Sequence, residues 1–312
     1  MPAVSFVIVN WNGRHLLQDC LSSIRSQTYR EWEILVVDNG STDGSREFLA
    51  GNFPEATVIP LETNQGFAEP NNIAFRKSDA RFIATINNDL TLDPAWLASL
   101  VDAMERRPDC FAVQGKILKS DQREIVDTCG LGMRPCGAAR NLAHNRPESE
   151  IREERPIFAV SAGAALYRRE TLVQLGLFES RYFAYYEDLD LGWRARLKGL
   201  QSWLIPKAIA YHKVHGTSGG VPGDFLWFLS ERNRLRTVVR NMPFSALLGN
   251  PGRFLIDEMR YLDMIRKKAG WKTLAKARLT FLTELPSFWR TRPPETKQRG
   301  SSDWDEWLRL SE

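Results

Sequence analysis

The chain of 312 residues is 43% apolar, 26% charged and 11% aromatic, enough to bury one large core or two smaller ones, which excludes intrinsic disorder. No apolar run approaches the roughly 18 to 20 residues of a membrane-spanning helix, and Met1-Pro2-Ala3-Val4-Ser5-Phe6 lacks the basic leader and cleavage site of a signal peptide; a cytoplasmic protein is expected. The net charge of +4 is uneven: residues 221–312 hold 17 Lys and Arg against 11 Asp and Glu, while residues 1–220 sum to −2. That asymmetry points to an anionic partner for the C-terminal third, acidic lipid or nucleic acid, with a solvated helical face as the alternative.

In chain order, the apolar run Ser5 to Val9 predicts a buried strand. Leu16, Leu17, Cys20, Leu21 and Ile24 then recur at helical spacing, and Glu33 to Val37 predicts a second strand, completing a β-α-β unit. A weaker strand near Thr57 to Leu61, a helix near Asn71 to Ser78 and a strong strand from Arg81 to Ile86 extend a parallel sheet. Asp93-Pro94 predicts a helix N-cap followed by proline, ahead of Leu97, Leu100, Val101 and Met104 on one face. Residues 106 to 155, with three prolines and four glycines, predict loops and short strands over a substrate. A small-residue segment, Val160 to Ala165, precedes a helix near Arg169 to Leu175. Beyond Gly220 the pattern is helical: Phe225, Phe228, Leu235, Val239 and Met242 form an apolar stripe beside Arg232, Arg236 and Arg240, and amphipathic stretches follow over 252–269 and 271–289. Cys20, Cys110, Cys129 and Cys136 have no thiolate-metal spacing and read as buried free thiols.

Four segments carry candidate chemistry. Asp38 in Val37-Asp38-Asn39-Gly40-Ser41-Thr42-Asp43 follows a strand, where a carboxylate can accept from a ribose or a base N–H; a helix-capping turn is the other reading. Asn87-Asn88-Asp89 ends another strand, and Asp89 suits Mg²⁺ or Mn²⁺ shared with diphosphate oxygens, or else caps a helix. In Glu187-Asp188-Leu189-Asp190-Leu191-Gly192-Trp193-Arg194-Ala195-Arg196, three acids precede two arginines. One acid facing a cleft would serve as general base with an arginine on phosphate, whereas a dipole-matched helix needs neither role. His212, Lys213 and His215 adjoin a Gly/Ser stretch that can close over a metal-bound diphosphate.

In their order these segments resemble glycosyltransferase family 2, inverting nucleotide-sugar transferases of GT-A fold, over roughly residues 3 to 240. The opening strand with Asn10-Trp11-Asn12, the Asp38 turn, Asn64-Gln65-Gly66-Phe67-Ala68, the metal motif ending in Asp89, the Glu-Asp-x-Asp block of the rhamnosyltransferase-like branch, His212-Lys213 and Arg232-Asn233 carry the likeness. The resemblance implies a Rossmann-like mixed α/β sheet flanked by helices over 1–220, with a nucleotide-sugar half over about 1–95 and an acceptor half over about 96–220. A basic amphipathic helical extension would follow over 221–312. It implies Asp188 as catalytic base, and Asn10, Asn12, Asp38, Asn39, Asn64, Gly66, Phe67, Asn72 and Asn88 around the nucleotide. Asp89 and His212 would hold Mg²⁺ or Mn²⁺, and Gly163, Glu187, Asp190 and Arg194 would meet the acceptor.

Two departures stand out: asparagine replaces the first aspartate of the metal motif, and Glu69-Pro70 replaces small residues after Gly-Phe-Ala. The expected partners are a dTDP-, UDP- or GDP-linked sugar, with rhamnose as one candidate, and a glycan or polyprenyl-diphosphate-linked acceptor. No nucleic acid is expected. With Trp271, Phe281, Phe288 and Trp289 interleaved among basic residues, an anionic inner-membrane surface is the expected location. A nucleotidyltransferase is disfavoured by the absence of a glycine-rich phosphate loop, and a GT-A-like binding protein without catalysis is the remaining alternative.

Overall fold

A computed structural model describes residues 2–213, 223–249 and 251–312. His215 and the Gly/Ser stretch of the fourth candidate segment lie outside them. The elements begin β1 (Val4–Asn10), α1 (Arg14–Arg25), β2 (Trp32–Asn39), α2 (Ser45–Asn52), β3 (Ala56–Leu61), α3 (Ala68–Lys77), β4 (Phe82–Asn87), β5 (Leu90–Leu92) and α4 (Trp96–Glu105). Next come β6 (Cys110–Lys119), β7 (Val126–Thr128), β8 (Leu131–Met133), β9 (Ala139–Asn141), β10 (Arg155–Ile157), β11 (Ala164–Arg168), α5 (Arg169–Gln174), α6 (Glu187–Leu197) and β12 (Gln201–His212). The helices α7 (Gly223–Asn241), α8 (Phe244–Gly249), α9 (Pro251–Arg290) and α10 (Ser301–Arg309) complete the chain.

The main sheet runs β10-β12-β6-β11-β4-β1-β2-β3, with β5 on β12 and β7 on β6. Its first half, β3-β2-β1-β4, is parallel. From β11 onward antiparallel pairs enter, so the sheet is mixed. Alternation along β1 sends Phe6 and Ile8 into one core layer with Leu17, Leu21 and Trp96, and Val7 into the other with Phe75, Ile83 and Leu191. β3, whose Pro60 cannot donate to a further ladder, is the edge.

Three sequence expectations are corrected. The 106–155 stretch contains a ten-residue strand, β6, buried over nine residues at the middle of the sheet. Gly115 interrupts its apolar run because a Cβ there would lie 1.9 Å from the Ala208 carbonyl oxygen, where β12 bulges between Leu204 and Ile209. The Asp93 carboxylate accepts from the Ala95 N–H at 3.0 Å in a turn, and α4 begins only at Trp96.

The third correction concerns α7, whose expected apolar stripe is not its buried side. Phe225 is exposed, whereas Glu231, Asn233, Arg234, Arg236, Thr237 and Asn241 are buried. Pairing makes this tolerable: Arg234 meets Glu231 at 2.9 Å and Glu258 at 2.7 Å, and Arg236 meets Glu284 at 2.5 Å. Part of the C-terminal basic excess is therefore neutralised internally. All four cysteines are buried and free, as expected, and burial pushes the Cys20 thiol up to about 12.

Candidate active site

Where the parallel strands end, a cleft of about 680 Å³ opens. Asn39, Asn64, Gly66, Phe67, Asn88, Asp89, Gly163, Glu187, Asp188 and His212, all singled out by sequence, line it. Phe225, Trp227, Tyr261 and Met264 of α7 and α9 close one side, so residues beyond 220 form part of its wall.

One side of the cleft floor is a network of amides. Asn10 Oδ1 accepts from Asn88 Nδ2 at 2.8 Å, and Asn39 Nδ2 donates to Asn64 Oδ1 at 2.9 Å and to the Gly66 carbonyl at 2.7 Å. Gly66 has φ 84°, and a Cβ on it would lie 2.3 Å from the Phe183 carbonyl oxygen. That same oxygen accepts from the N–H groups of Phe67, at 2.6 Å, and Ala68, at 3.1 Å. Asp38 is fully buried behind the wall, pairs with Arg46 at 2.5 Å and keeps Oδ1 without a protein partner. Asn12, at φ 51°, accepts from the Thr42 N–H at 2.8 Å and does not line the cleft.

Register brings Asp89 and His212 together. β5 pairs antiparallel with β12 so that Leu90 faces His212, one residue from Asp89. His212 Nε2 then lies 3.5 Å from Asp89 Oδ1, and Nδ1 lies 2.8 Å from Asp127 Oδ2. Burial lowers the imidazole pKa, but Asp127 and Asp89 outweigh it and push it up to about 9. Asp127, on β7, also lines the cleft and was missed in the sequence because β7 is a three-residue strand inside the irregular stretch. One carboxylate and one imidazole nitrogen suit a divalent ion whose other positions go to diphosphate oxygens and water, and Asp127 is placed to orient the ring. Among the described residues no group of three or more His, Cys, Asp or Glu is placed to hold a metal ion by itself.

On the opposite side, α6 starts from a loop with Phe183, Tyr185 and Tyr186 at φ 68°, 68° and 75°, all non-glycine residues in the left-handed region. Asn233 Nδ2 braces this loop, approaching the carbonyls of Tyr182, Ala184 and Tyr185 at 3.0, 2.8 and 2.8 Å. Asp188 accepts from the N–H of Ala162 at 3.2 Å and of Leu189 at 2.8 Å. Burial raises its carboxyl to about 6, against the lowering effect of these donors. Glu187, with Oε2 lacking a protein partner, is likewise pushed up by burial and by the Asp188 charge.

Three other residues sit elsewhere than the resemblance implies. Asp190 is fully buried away from the cleft, bonded to Arg194 at 2.8 Å, Arg240 at 3.1 Å and Asn241 at 2.7 Å. Arg194 spends its remaining donors on the carbonyls of Leu175 and Leu177. Neither can meet an acceptor; they tie α6 to α7, because a two-residue step turns about 200° around a helix and carries Asp190 away from the side of Asp188. Asn72 donates to the Phe178 carbonyl at 2.8 Å and accepts from the Phe178 N–H at 3.0 Å, which ties α3 to the 178–180 segment and keeps it out of the cleft.

Comparison with known proteins agrees with this geometry. The profile of Glycosyl transferase family 2 matches residues 5–176. The N-acetylglucosaminyl-diphospho-decaprenol L-rhamnosyltransferase of Mycobacterium tuberculosis (strain ATCC 25618 / H37Rv) is 29% identical over 234 residues, covering 68% of this chain and 76% of its own. Two solved structures share the fold. GalNAc-T7 with UDP, GalNAc and Mn²⁺ superposes with TM-score 0.64 at 17% identity, over 94% of this chain and 59% of that one. The mannosyltransferase PcManGT from Pyrobaculum calidifontis, in complex with GDP-Man and Mn²⁺, gives 0.57 at 17% identity, over 90% and 87%. The mixed sheet with flanking helices is thus the GT-A arrangement expected from the sequence.

Proposed function

Because this chain belongs to glycosyl transferase family 2, we propose that it moves a sugar from a nucleotide-sugar donor to a glycan or polyprenyl-diphosphate-linked acceptor with inversion at the anomeric carbon. The observation that carries the reading is one cleft holding both a raised carboxylate, Asp188, and the Asp89–His212 pair. The rhamnosyltransferase relative favours a deoxyhexose of the rhamnose kind and a lipid-linked acceptor. Residues 1–220 supply the catalytic unit and 221–312 an extension that also shapes the cleft.

In this reading the amide network of Asn39, Asn64 and Gly66 shapes the donor side, while Asp38, buried behind it and paired with Arg46, supports that wall and does not itself reach the nucleobase. Asp89 and His212 would hold Mg²⁺ or Mn²⁺, a choice supported by the Mn²⁺ in both structural neighbours. When bound, such an ion neutralises charge on the departing diphosphate. Asp188 takes the proton of the acceptor hydroxyl as that oxygen attacks, and its raised pKa makes it a better base than an ordinary aspartate. Ser161, Ala162 and Gly163 shape the space in front of it.

The test is calorimetric binding of dTDP, UDP and GDP with and without Mn²⁺, followed by turnover with sugar conjugates of the preferred nucleotide. Metal-dependent preference for one nucleotide and formation of the inverted anomer support the reading. Binding to none of them refutes it.

A further inference from the structure

The second half of α9 is apolar on two faces. Gly270, at φ 76°, breaks the helix, and after it Leu274, Ala277, Phe281 and Phe288 are buried. A second stripe, Trp271, Ala275, Leu279, Leu282, Pro286 and Trp289, repeats at three- and four-residue steps and lies entirely in solvent. Its large members are 67%, 64%, 57% and 48% exposed at Trp271, Leu279, Leu282 and Trp289. From Trp271 to Trp289 the stripe is about 27 Å long. It continues onto α8, where the exposed Phe244 packs on Trp289 with ring centroids 5.6 Å apart.

Charge identifies what covers this face. Exposed Lys272, Lys276 and Arg290 each follow a stripe residue by one position and so line its edge, and exposed Lys267 and Lys268 precede it. The Arg292 guanidinium lies 5.0 Å from the Phe244 ring and 5.1 Å from the Trp289 ring. Between Met264 and Arg292 the sequence has one acid, Glu284, and Arg236 pairs with it. An apolar ridge ended by tryptophans and edged by cations matches the interface of an anionic bilayer, where apolar side chains enter the acyl boundary and cations stay among the head groups. Among the described residues no helix is long and apolar enough to cross a membrane, so the contact is one of lying on the surface.

We propose that the Trp271–Trp289 face of α9, extended by Phe244, docks this protein on an anionic lipid surface. The inference deepens the transfer reading above, whose lipid-linked acceptor gives the face its use. It also replaces the expectation that all four C-terminal aromatics take part: Phe281 and Phe288 are buried in the protein.

Sedimentation of the full chain with phosphatidylcholine vesicles, with and without 30% phosphatidylglycerol, tests it. Binding should require the anionic lipid, weaken between 0.1 and 0.5 M salt, and fall by at least about tenfold in the double variant L279E/L282E. Both positions are exposed, so the variant should keep the parent's melting temperature and its nucleotide affinity. Equal binding to neutral and anionic vesicles, or undiminished binding by the variant, overturns the proposal. So does a dimer of the parent that the variant splits, since a second copy would then cover the face. Nucleotide binding measured on the same preparation separates the two readings: its loss with vesicle binding intact retires the transfer reading alone.

Discussion

Replacing Asn233 with alanine tests whether the loop before α6 is held from outside. One amide nitrogen faces three carbonyls of residues 182, 184 and 185, at 2.8 to 3.0 Å, and its side chain is fully buried. Losing two donated protons removes about 2 kcal/mol of net hydrogen bonding, and carbonyls left dry raise the cost to about 2–4 kcal/mol. The loop also carries three left-handed non-glycine residues, at about 1–3 kcal/mol each, so without the brace a relaxed loop competes with the one that positions Asp188. For a chain of this length, 2–4 kcal/mol lowers the melting temperature by about 3–6 °C. Calorimetry on Asn233→Ala should show that shift, and turnover should fall more than nucleotide affinity. Asn233→Asp keeps the shape but points a carboxylate at the three carbonyl oxygens, so it should be worse than alanine. An alanine variant with unchanged melting and turnover, or an aspartate variant milder than alanine, would refute the bracing argument.

Other expectations follow from the same geometry. With Asp188 as the proposed base, working ionised with its pKa raised to about 6, kcat should be flat above pH 7 and fall as pH drops through 6. An ionised fraction of about 0.9 at pH 7 and 0.1 at pH 5 gives about a tenfold loss, where an ordinary aspartate would give almost none. Stopped assays at saturating donor and metal decide between them. Asp188→Asn should cost about 10²- to 10⁴-fold in turnover while calorimetric nucleotide binding persists; comparable loss of both contradicts its role as base. Asp127→Asn should weaken Mn²⁺ binding by about 10- to 100-fold, read by electron paramagnetic resonance of free Mn²⁺ in the presence of nucleoside diphosphate. Equal affinity would mean that His212 needs no orienting partner. Asp190→Asn should lower the melting temperature and leave the acceptor KM alone, since its partners are Arg194, Arg240 and Asn241.

What the sequence reveals depends on whether neighbours in space are neighbours in chain. The parallel half of the sheet is legible because β1, β2 and β4 are near-continuous apolar runs, the mark of strands covered on both faces. β6 and β12 hide because Gly115 and Pro206 look like turn residues until a bulge and a close backbone approach give them a purpose. Asp188 and Asp190 are indistinguishable by composition, and only the packing of α6 against α7 sends one to the cleft and the other into an ionic knot. Asp127 has no local signal, since its partner His212 is 85 residues away. The C-terminal charge is visible as a count, but its division between buried pairs and exposed cations requires the fold.

The Phe183 carbonyl oxygen gives the two sides of the cleft a shared mechanical point. It receives two N–H groups from the Gly66-Phe67-Ala68 segment, while its own residue belongs to the loop that leads into Glu187 and Asp188. A displacement of either segment must stretch these two bonds or carry the other segment along. A ligand that moved either segment would, through these bonds, shift the proton equilibrium of Asp188, and by thermodynamic reciprocity the proton would shift that ligand's affinity by the same factor.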